Sequence, residues 1–239
     1  MVTVAFDAVR TIESCLESVA AQSLSGVEHL VVDGGSTDGT VDVLRAWDRR
    51  VAWWASEPDR GIYDAMNKGI AAARGEWLYF LGADDVLAGP DVLERCAPYL
   101  GGGAAVVYGD VRFTNGHLFR SKAGPKLLIG NTVHHQGAFY AARVFDGWRY
   151  DTSLRLVADY DLNLRLYRAS ERFARADVVV AECGDEGASN VRMGESFREM
   201  NRVRRRHLGA PASTALTGVL AAELGAYFLL RRLRRALPR

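Results

Sequence analysis

Short apolar runs ending in Gly or Asp alternate with amphipathic stretches along the first two-thirds of this chain. Residues 2–6, 27–32, 51–55, 76–81 and 106–110 are apolar runs bounded by turn residues, the pattern of buried parallel strands. Between them the apolar spacing turns helical. Thr11 is placed to cap a helix with Ile12, Leu16 and Val19 on one face. A Gly-rich turn leads into a helix carrying Val41, Leu44 and Trp47. Residues 62–73 read as a helix with Met66, Ile70 and Ala73 inward and Gly75 as its stop. Another helix starts near Pro90. The pattern breaks into loop-rich sequence over 115–136, then resumes as a strand at 137–142, a helix at 158–170 and a last strand at 173–182. Strand–helix alternation of this kind predicts an α/β fold, a Rossmann-like, mainly parallel sheet flanked by helices on both faces.

Two of the strands end in acid. Residues 27–32 run into Asp33-Gly34-Gly35-Ser36-Thr37-Asp38-Gly39-Thr40, and residues 76–81 into Gly82-Ala83-Asp84-Asp85. Open α/β sheets bind ligands beyond the carboxyl ends of their strands. Carboxylates there suit ring N–H and hydroxyl donors together with a metal-bridged diphosphate, the parts of a nucleotide-sugar. Asp33 taken alone is also good turn chemistry, while the hydroxyls and amides that follow it stand at a helix start, where an anion is welcome. Asp84 and Asp85 are adjacent acids, and a hard divalent cation takes one or two carboxylates plus phosphate oxygens. Gly34 and Gly39 have the outer spacing of a phosphate loop, but Thr40 occupies the lysine position, which excludes it. No G-x-G-x-x-G, H-E-x-x-H or G-x-S-x-G pattern is present. Asp159 and Asp161 open a helix, where acids also serve simply as partners of the helix dipole. His134-His135 reads equally as structural or as oriented toward a diphosphate.

Charge changes the picture only at the C-terminus. The 239 residues hold 30 Lys and Arg against 29 Asp and Glu, so the whole molecule is no nucleic-acid polyelectrolyte binder. Arg202, Arg204, Arg205, Arg206 and His207, then Arg231, Arg232, Arg234, Arg235 and Arg239, concentrate positive charge at the end. Residues 212–230 carry a single charge, Glu223, with Leu216, Leu220, Leu224 and Phe228 in one helical stripe and Val219 and Tyr227 beside it. A spanning helix needs about 20 mostly apolar residues without a central acid. The segment therefore reads either as an interfacial amphipathic helix on an anionic membrane or as a helix packed on protein. Cys15, Cys96 and Cys183 are too few and too far apart for a disulfide framework or a zinc site, which suits a reducing cytoplasm. No signal peptide is expected, because Met1 leads straight into a strand. The division expected is 1–185 for the α/β domain and 186–239 for an Arg-rich helical extension.

Five collinear segments resemble the family 2 glycosyltransferases of the GT-A fold, closest to the bacterial enzymes of colanic-acid, capsule and O-antigen synthesis. They are residues 33–40, residues 57–69 (Glu-Pro-Asp-Arg-Gly-Ile-Tyr-Asp-Ala-Met-Asn-Lys-Gly), residues 82–85, His134-His135-Gln136 and residues 158–162 (Ala-Asp-Tyr-Asp-Leu). By this resemblance Thr3, Ala5, Phe6 and Asp33 hold the base and ribose of a UDP- or GDP-sugar. Asp64, Asn67 and Lys68 face the donor, and Asp84 with Asp85 occupies the DXD site for Mg²⁺ or Mn²⁺. Asp159 matches the catalytic base, with His135 and Asp161 on the acceptor side. The activity implied is an inverting hexosyl-type transfer to a hydroxyl of a glycan or lipid-linked oligosaccharide, at the inner face of the cytoplasmic membrane. Three positions depart from the pattern: Gly82 replaces the leading acid of DXD, Asp7 stands for the usual Asn, and Ala158 for the acid before the base. The alternatives are a sugar-nucleotide nucleotidyltransferase, whose Gly-rich Arg- or Lys-bearing loop is absent from residues 7–10, and a non-catalytic nucleotide-sugar-binding scaffold.

Overall fold

The structure, a computed structural model, describes residues 1–184 and 192–218. Four strands, β1 (Val2–Ala5), β2 (Leu30–Asp33), β3 (Trp53–Ser56) and β4 (Trp77–Gly82), lie parallel in the order β3-β2-β1-β4. They are joined through α1 (Ile12–Ala20), α2 (Thr40–Ala46) and α3 (Ile62–Ala72). Their register decides where chemistry can occur. Ala5 pairs with Asp33, Asp33 with Ser56, and Val4 with Gly82, so four carboxyl ends reach one edge together.

Beyond β4 the sheet is mixed rather than parallel. β5 (Val86–Leu87) pairs antiparallel with β9 (Phe173–Cys183), and β8 (Ala138–Ala141) lies antiparallel between β4 and β6 (Val106–Phe113). β6 runs parallel to β9, and β7 (Leu118–Phe119) pairs antiparallel with β6. The cause is the connection between β6 and β8, loops and short 3-10 turns with no crossover helix to return the chain in the same direction. α4 (Val92–Cys96) packs on β9, and α5 (Ala158–Arg168) packs against α6 (Met193–Leu208), which is followed by a further helical stretch at 210–218.

β1, β2 and β4 are buried, as continuous apolar runs should be, whereas β3 is an edge strand with Trp53 and Ser56 exposed. Val2, Val4, Leu30, Val32 and Phe80 pack with Tyr63, Met66 and Ile70 of α3 and with Leu162 and Leu166 of α5. Val31, Ala5 and Leu44 meet Ile12 and Leu16 on the other face. Gly69 permits the first contact: a Cβ there would run into the Val2 side chain.

Local departures from the expected elements have local causes. Thr11 stands at the start of α1 but makes no side-chain cap. Its hydroxyl turns back to the Ala8 carbonyl at 3.4 Å. β2 begins at Leu30 rather than Val27: Leu30 pairs with Val2, the first residue of β1, while the Glu28 and His29 side chains just before it meet Arg74 and Thr3. The three cysteines are free and buried.

α6 uses part of the first basic cluster inside the fold. Arg204 is fully buried, its guanidinium donating to the Ile129 carbonyl and to Asn201, and its side chain is among the largest enclosed in the fold. His207 meets Asp161 at 2.7 Å and Arg206 meets Asp151 at 2.6 Å. Arg198, Arg202 and Arg205 remain on the outer side. Among the described residues no helix is long and apolar enough to cross a membrane. The distal stripe (Val219, Leu220, Glu223, Leu224, Tyr227, Phe228), the last five arginines and the 185/186 division lie outside the described residues.

Buried His29 makes the fold acid-sensitive. Burial pulls its ring down to about 3, so below the ordinary value of 6.5 the unfolded chain takes a proton that the folded chain refuses. Stability is therefore complete above about pH 6.5 and is lost as pH falls, by up to about 1.4 kcal/mol per pH unit. Half-buried His134, lowered to about 4 mainly by the loss of solvent around its ring, adds to the slope in the same direction. Urea midpoints should fall between pH 7 and pH 5, and His29→Gln should flatten that fall.

Candidate active site

The rim formed by the four strand ends is built by two interlocked loops. After β1, Asp7 adopts a left-handed φ of 46° and its carboxylate accepts the Thr37 N–H at 3.0 Å. The N–H groups of Asp7, Ala8 and Val9 donate to Ser36 Oγ, Thr40 Oγ1 and Asp38 Oδ2. The hydroxyls of Ser36 and Thr40, with Asp38, thus lock the β1 and β2 loops together rather than waiting for an anion. Asp33 is spent in the same way. It is fully buried, and its carboxylate accepts from the Gly35 and Ser36 amides and from the Ser36 and Ser56 hydroxyls.

Above these loops lies a cleft of about 560 Å³ whose lining includes Ala5, Phe6, Asp59, Arg60, Asp84 and Arg155. Gly34 forms its floor. A Cβ at that position would approach Asp59 Oδ2 to 2.5 Å and Phe6 to 3.2 Å, so a larger residue would push the Asp59 side chain and the Phe6 ring from their places at the cleft. Phe6 is 66 % exposed, a ring presented at the mouth and available for stacking on a base. Thr3 is not at the cleft: its hydroxyl sits 2.9 Å from His29 Nε2 inside the core. Asp64, Asn67 and Lys68 on α3 support the walls instead of lining them. Asp64 holds the Arg60 guanidinium at 2.9 Å, which also keeps its own carboxyl below the usual range. Lys68 donates to the Pro58 carbonyl and pairs with Glu57. Asn67 pairs with both main-chain groups of Tyr150 at 2.9 Å.

The acidic turn after β4 presents its two carboxylates differently. Asp84 is exposed in the cleft and makes no hydrogen bond or ion pair among the described residues. Asp85 is buried and accepts from Gln136 Nε2 at 2.9 Å. Burial, and next the Asp84 charge, push the Asp85 carboxyl above its usual range. No group of three His, Cys, Asp or Glu side chains forms a metal-binding set among the described residues. A single free carboxylate backed by a second fits Mg²⁺ or Mn²⁺, which bind through one or two carboxylates and otherwise through water and phosphate oxygens. Gly82 fits the same arrangement. A Cβ there would stand 2.7 Å from both Asp84 Oδ1 and Asp85 Oδ2. Gly82→Asp, which recreates the missing acid, should therefore weaken Mn²⁺ binding measured by calorimetry, because the new side chain displaces both carboxylates.

Asp159 sits at the first turn of α5, only 7 % exposed. Tyr63 Oη donates to its Oδ1 at 3.1 Å and Asn131 Nδ2 to its Oδ2 at 2.7 Å, with His135 Nδ1 3.5 Å from Oδ2. Burial raises its carboxyl, but the hydrogen bond and charge of His135, helped by His134, outweigh burial and hold it below the usual range. Asp161, expected on the acceptor side, is instead held by His207 of α6. Gln136 on Asp85 and His135 on Asp159 are consecutive residues, so one short turn links the acidic cleft edge to the buried acid. Among the described residues His135 Nε2 and Gln136 Oε1 are buried with no partner, which leaves acceptor capacity or a donor unspent between the two acids.

The contributors that escape the sequence reading include Asp59, Arg60, Arg155, Tyr63, Asn131 and Gln136. Tyr63 and Asp59 lie inside the 57–69 segment, and Arg155 lies four residues before Asp159, which is the one available hint. Asn131 carries no local signal.

Residues 1–155 match the family model described as Glycosyl transferase family 2. A PGL/p-HBAD biosynthesis glycosyltransferase of Mycobacterium bovis is 36% identical over 196 residues, covering 77% of this chain and 76% of that protein. Among solved structures, the mannosyltransferase PcManGT of Pyrobaculum calidifontis in complex with GDP-Man and Mn²⁺ matches with a TM-score of 0.67 and 18% identity, over 100% of this chain and 80% of that one. S. aureus TarS 1-349 in complex with UDP-GlcNAc matches with a TM-score of 0.65 and 16% identity, over 86% of this chain and 65% of that one.

Proposed function

Because the chain belongs to glycosyl transferase family 2, we propose that it moves one sugar from a UDP- or GDP-sugar to an acceptor hydroxyl, with inversion, in the synthesis of bacterial surface polysaccharide or glycolipid. The observation that carries the reading is the linkage of two acids through one turn: Asp85 to Gln136 and His135 to Asp159. A transfer of this kind needs charge control at the leaving diphosphate and a base at the acceptor, and the two acids stand at the two ends of that turn.

Phe6 stacks the base at the cleft mouth and Ala5 with Gly34 gives the nucleotide a flat floor. Asp33, through its loop hydrogen bonds, fixes the shape of that floor. Asp84, backed by Asp85, would hold Mg²⁺ or Mn²⁺, which supplies Lewis-acid neutralisation of the leaving diphosphate. Asp159, ionised and oriented by Tyr63 and Asn131, takes the proton of the acceptor hydroxyl as it attacks the anomeric carbon. His135 positions that carboxylate from the side facing Asp85. GDP-Man and UDP-GlcNAc, bound by PcManGT and TarS respectively, define the two donor classes to try first.

The acceptor we assign is a glycan or lipid-linked oligosaccharide at the inner face of the cytoplasmic membrane. Support comes from the outward Arg198, Arg202 and Arg205 of α6 and the apolar, Arg-rich sequence beyond it. Residues 1–185 then form the transferase unit and 186–239 the extension that docks it. Removing residues 219–239 should abolish flotation with anionic vesicles; unchanged flotation rejects the membrane assignment.

A panel of UDP- and GDP-sugars with Mn²⁺ tests the reaction itself. Release of UDP or GDP from at least one donor is expected. Tight nucleotide binding without any release identifies a binding protein, and absence of both rejects the proposal.

A further inference from the structure

Among the described residues the cleft lining holds two cations, Arg60 and Arg155, and they are not equivalent. The Arg60 guanidinium is committed to Asp64 at 2.9 Å. Arg155 lines the same cleft, is exposed, and its guanidinium makes no ion pair or hydrogen bond among the described residues. Its main chain, by contrast, is fixed. The Arg155 N–H donates to both carboxylate oxygens of Glu199, at 2.9 and 3.1 Å, and the Leu156 N–H to one of them at 2.9 Å. Glu199 belongs to α6, 44 residues further on and beyond the segment that matches the family model.

The other charged side chains on the cleft are Asp59 and Asp84. A doubly negative diphosphate entering here meets two acids and one neutralised arginine. Arg155 is the remaining uncommitted cation among the described lining residues. Its planar fork can hold two phosphate oxygens at once, which a point charge cannot. We propose that Arg155 grips the diphosphate of the nucleotide donor and that Glu199 of α6 is the positioning residue that aims it. The inference rests on the glycosyltransferase reading of the cleft and adds to it a donor contact supplied through the C-terminal extension. In the transfer, the bond between the anomeric carbon and the phosphate oxygen breaks with its electron pair going to the diphosphate. The acceptor oxygen forms the new bond and its proton passes to Asp159. Arg155 stabilises the charge gathered on the departing oxygens.

Calorimetric titration of the full chain with Mn²⁺–UDP and Mn²⁺–GDP tests this. Arg155→Gln should weaken the nucleotide that the wild type binds by about 10- to 100-fold, the worth of one or two hydrogen bonds to a charged group. Arg155→Lys should recover part of the loss, and the melting temperature should not move, because the side chain is exposed. Arg45→Gln, on the outer surface of α2, should bind as the wild type. Glu199→Gln and Glu199→Ala should each weaken binding by less than Arg155→Gln, and Glu199→Ala should add little in the Arg155→Gln background. Wild-type binding with Arg155→Gln unchanged overturns the inference and leaves the glycosyltransferase reading standing. Full additivity of the two substitutions overturns the role of Glu199. A wild type that binds neither nucleotide removes the reading itself and the inference with it.

Discussion

Asp159→Asn should lower turnover by about 10²- to 10⁴-fold, the range for losing a general base, with donor affinity close to that of the wild type. The geometry separates the two effects. Asp159 lies in the first turn of α5 beside the 131–135 loop, facing Tyr63, Asn131 and His135, while the cleft lining is drawn from other residues. An amide keeps the shape of the carboxylate but turns a donor toward Asn131 or His135, so some stability is lost as well. Melting curves measure that part, and kcat from nucleotide release measures the rest. Because His135 and His134 hold this carboxyl below its usual range despite burial, the base stays ionised through weakly acidic pH, and the loss in the variant should be seen across that whole range. Near-full kcat in Asp159→Asn would remove it from the reaction.

Asp84→Asn should act on the other half of the process. Asp84 is the one free carboxylate of the turn, and losing even a supporting partner of a metal ligand weakens metal affinity by about 10- to 100-fold. Donor binding in Mn²⁺ should fall by at least that much, and EDTA should bring the wild type down to the level of the variant. Asp85→Asn should be milder on donor affinity, since its carboxylate is already engaged by Gln136, but it loosens the turn that leads toward His135. Calorimetry with and without EDTA separates these. Equal donor affinity in Asp84→Asn and wild type would mean that the cleft works without a cation at this position.

The sequence was most informative where a residue's role depends on its immediate neighbours. The runs ending in Asp33 and in Asp84-Asp85 are strands whose ends share one edge, because apolar length and terminal acids are local properties. What Asp33 does there was not legible: its carboxylate is used up by Ser36 and Ser56, the second of these 23 residues away. Distance in sequence explains the other differences. Asp161 looks like surface charge at a helix start until His207 arrives from 46 residues later. Arg204 reads as one of a run of arginines concentrating charge at the C-terminus until the Ile129 carbonyl, 75 residues earlier, is found beside it. The antiparallel pairing of β8 leaves no mark in periodicity, because short connections set strand direction and the 115–136 segment resembles any other loop. Lys68, Asp64 and Asn67 show a subtler case. Their segment, 57–69, supplies Asp59, Arg60 and Ile62 to the cleft lining, yet their own side chains brace the 57–61 and 150 loops and do not line the cleft themselves.

The enclosed guanidinium of Arg204 has a practical consequence for chimeras. An extension docked by surface charge alone could be exchanged between relatives at a junction near residue 185 to redirect the enzyme to another membrane. Here such a graft would strip the Ile129 carbonyl of its donor, free Asp161 and release the Arg155 turn in one stroke. Recombinants that retain residues 192–218 and splice downstream of them should keep their fold, whereas earlier crossovers should yield insoluble protein.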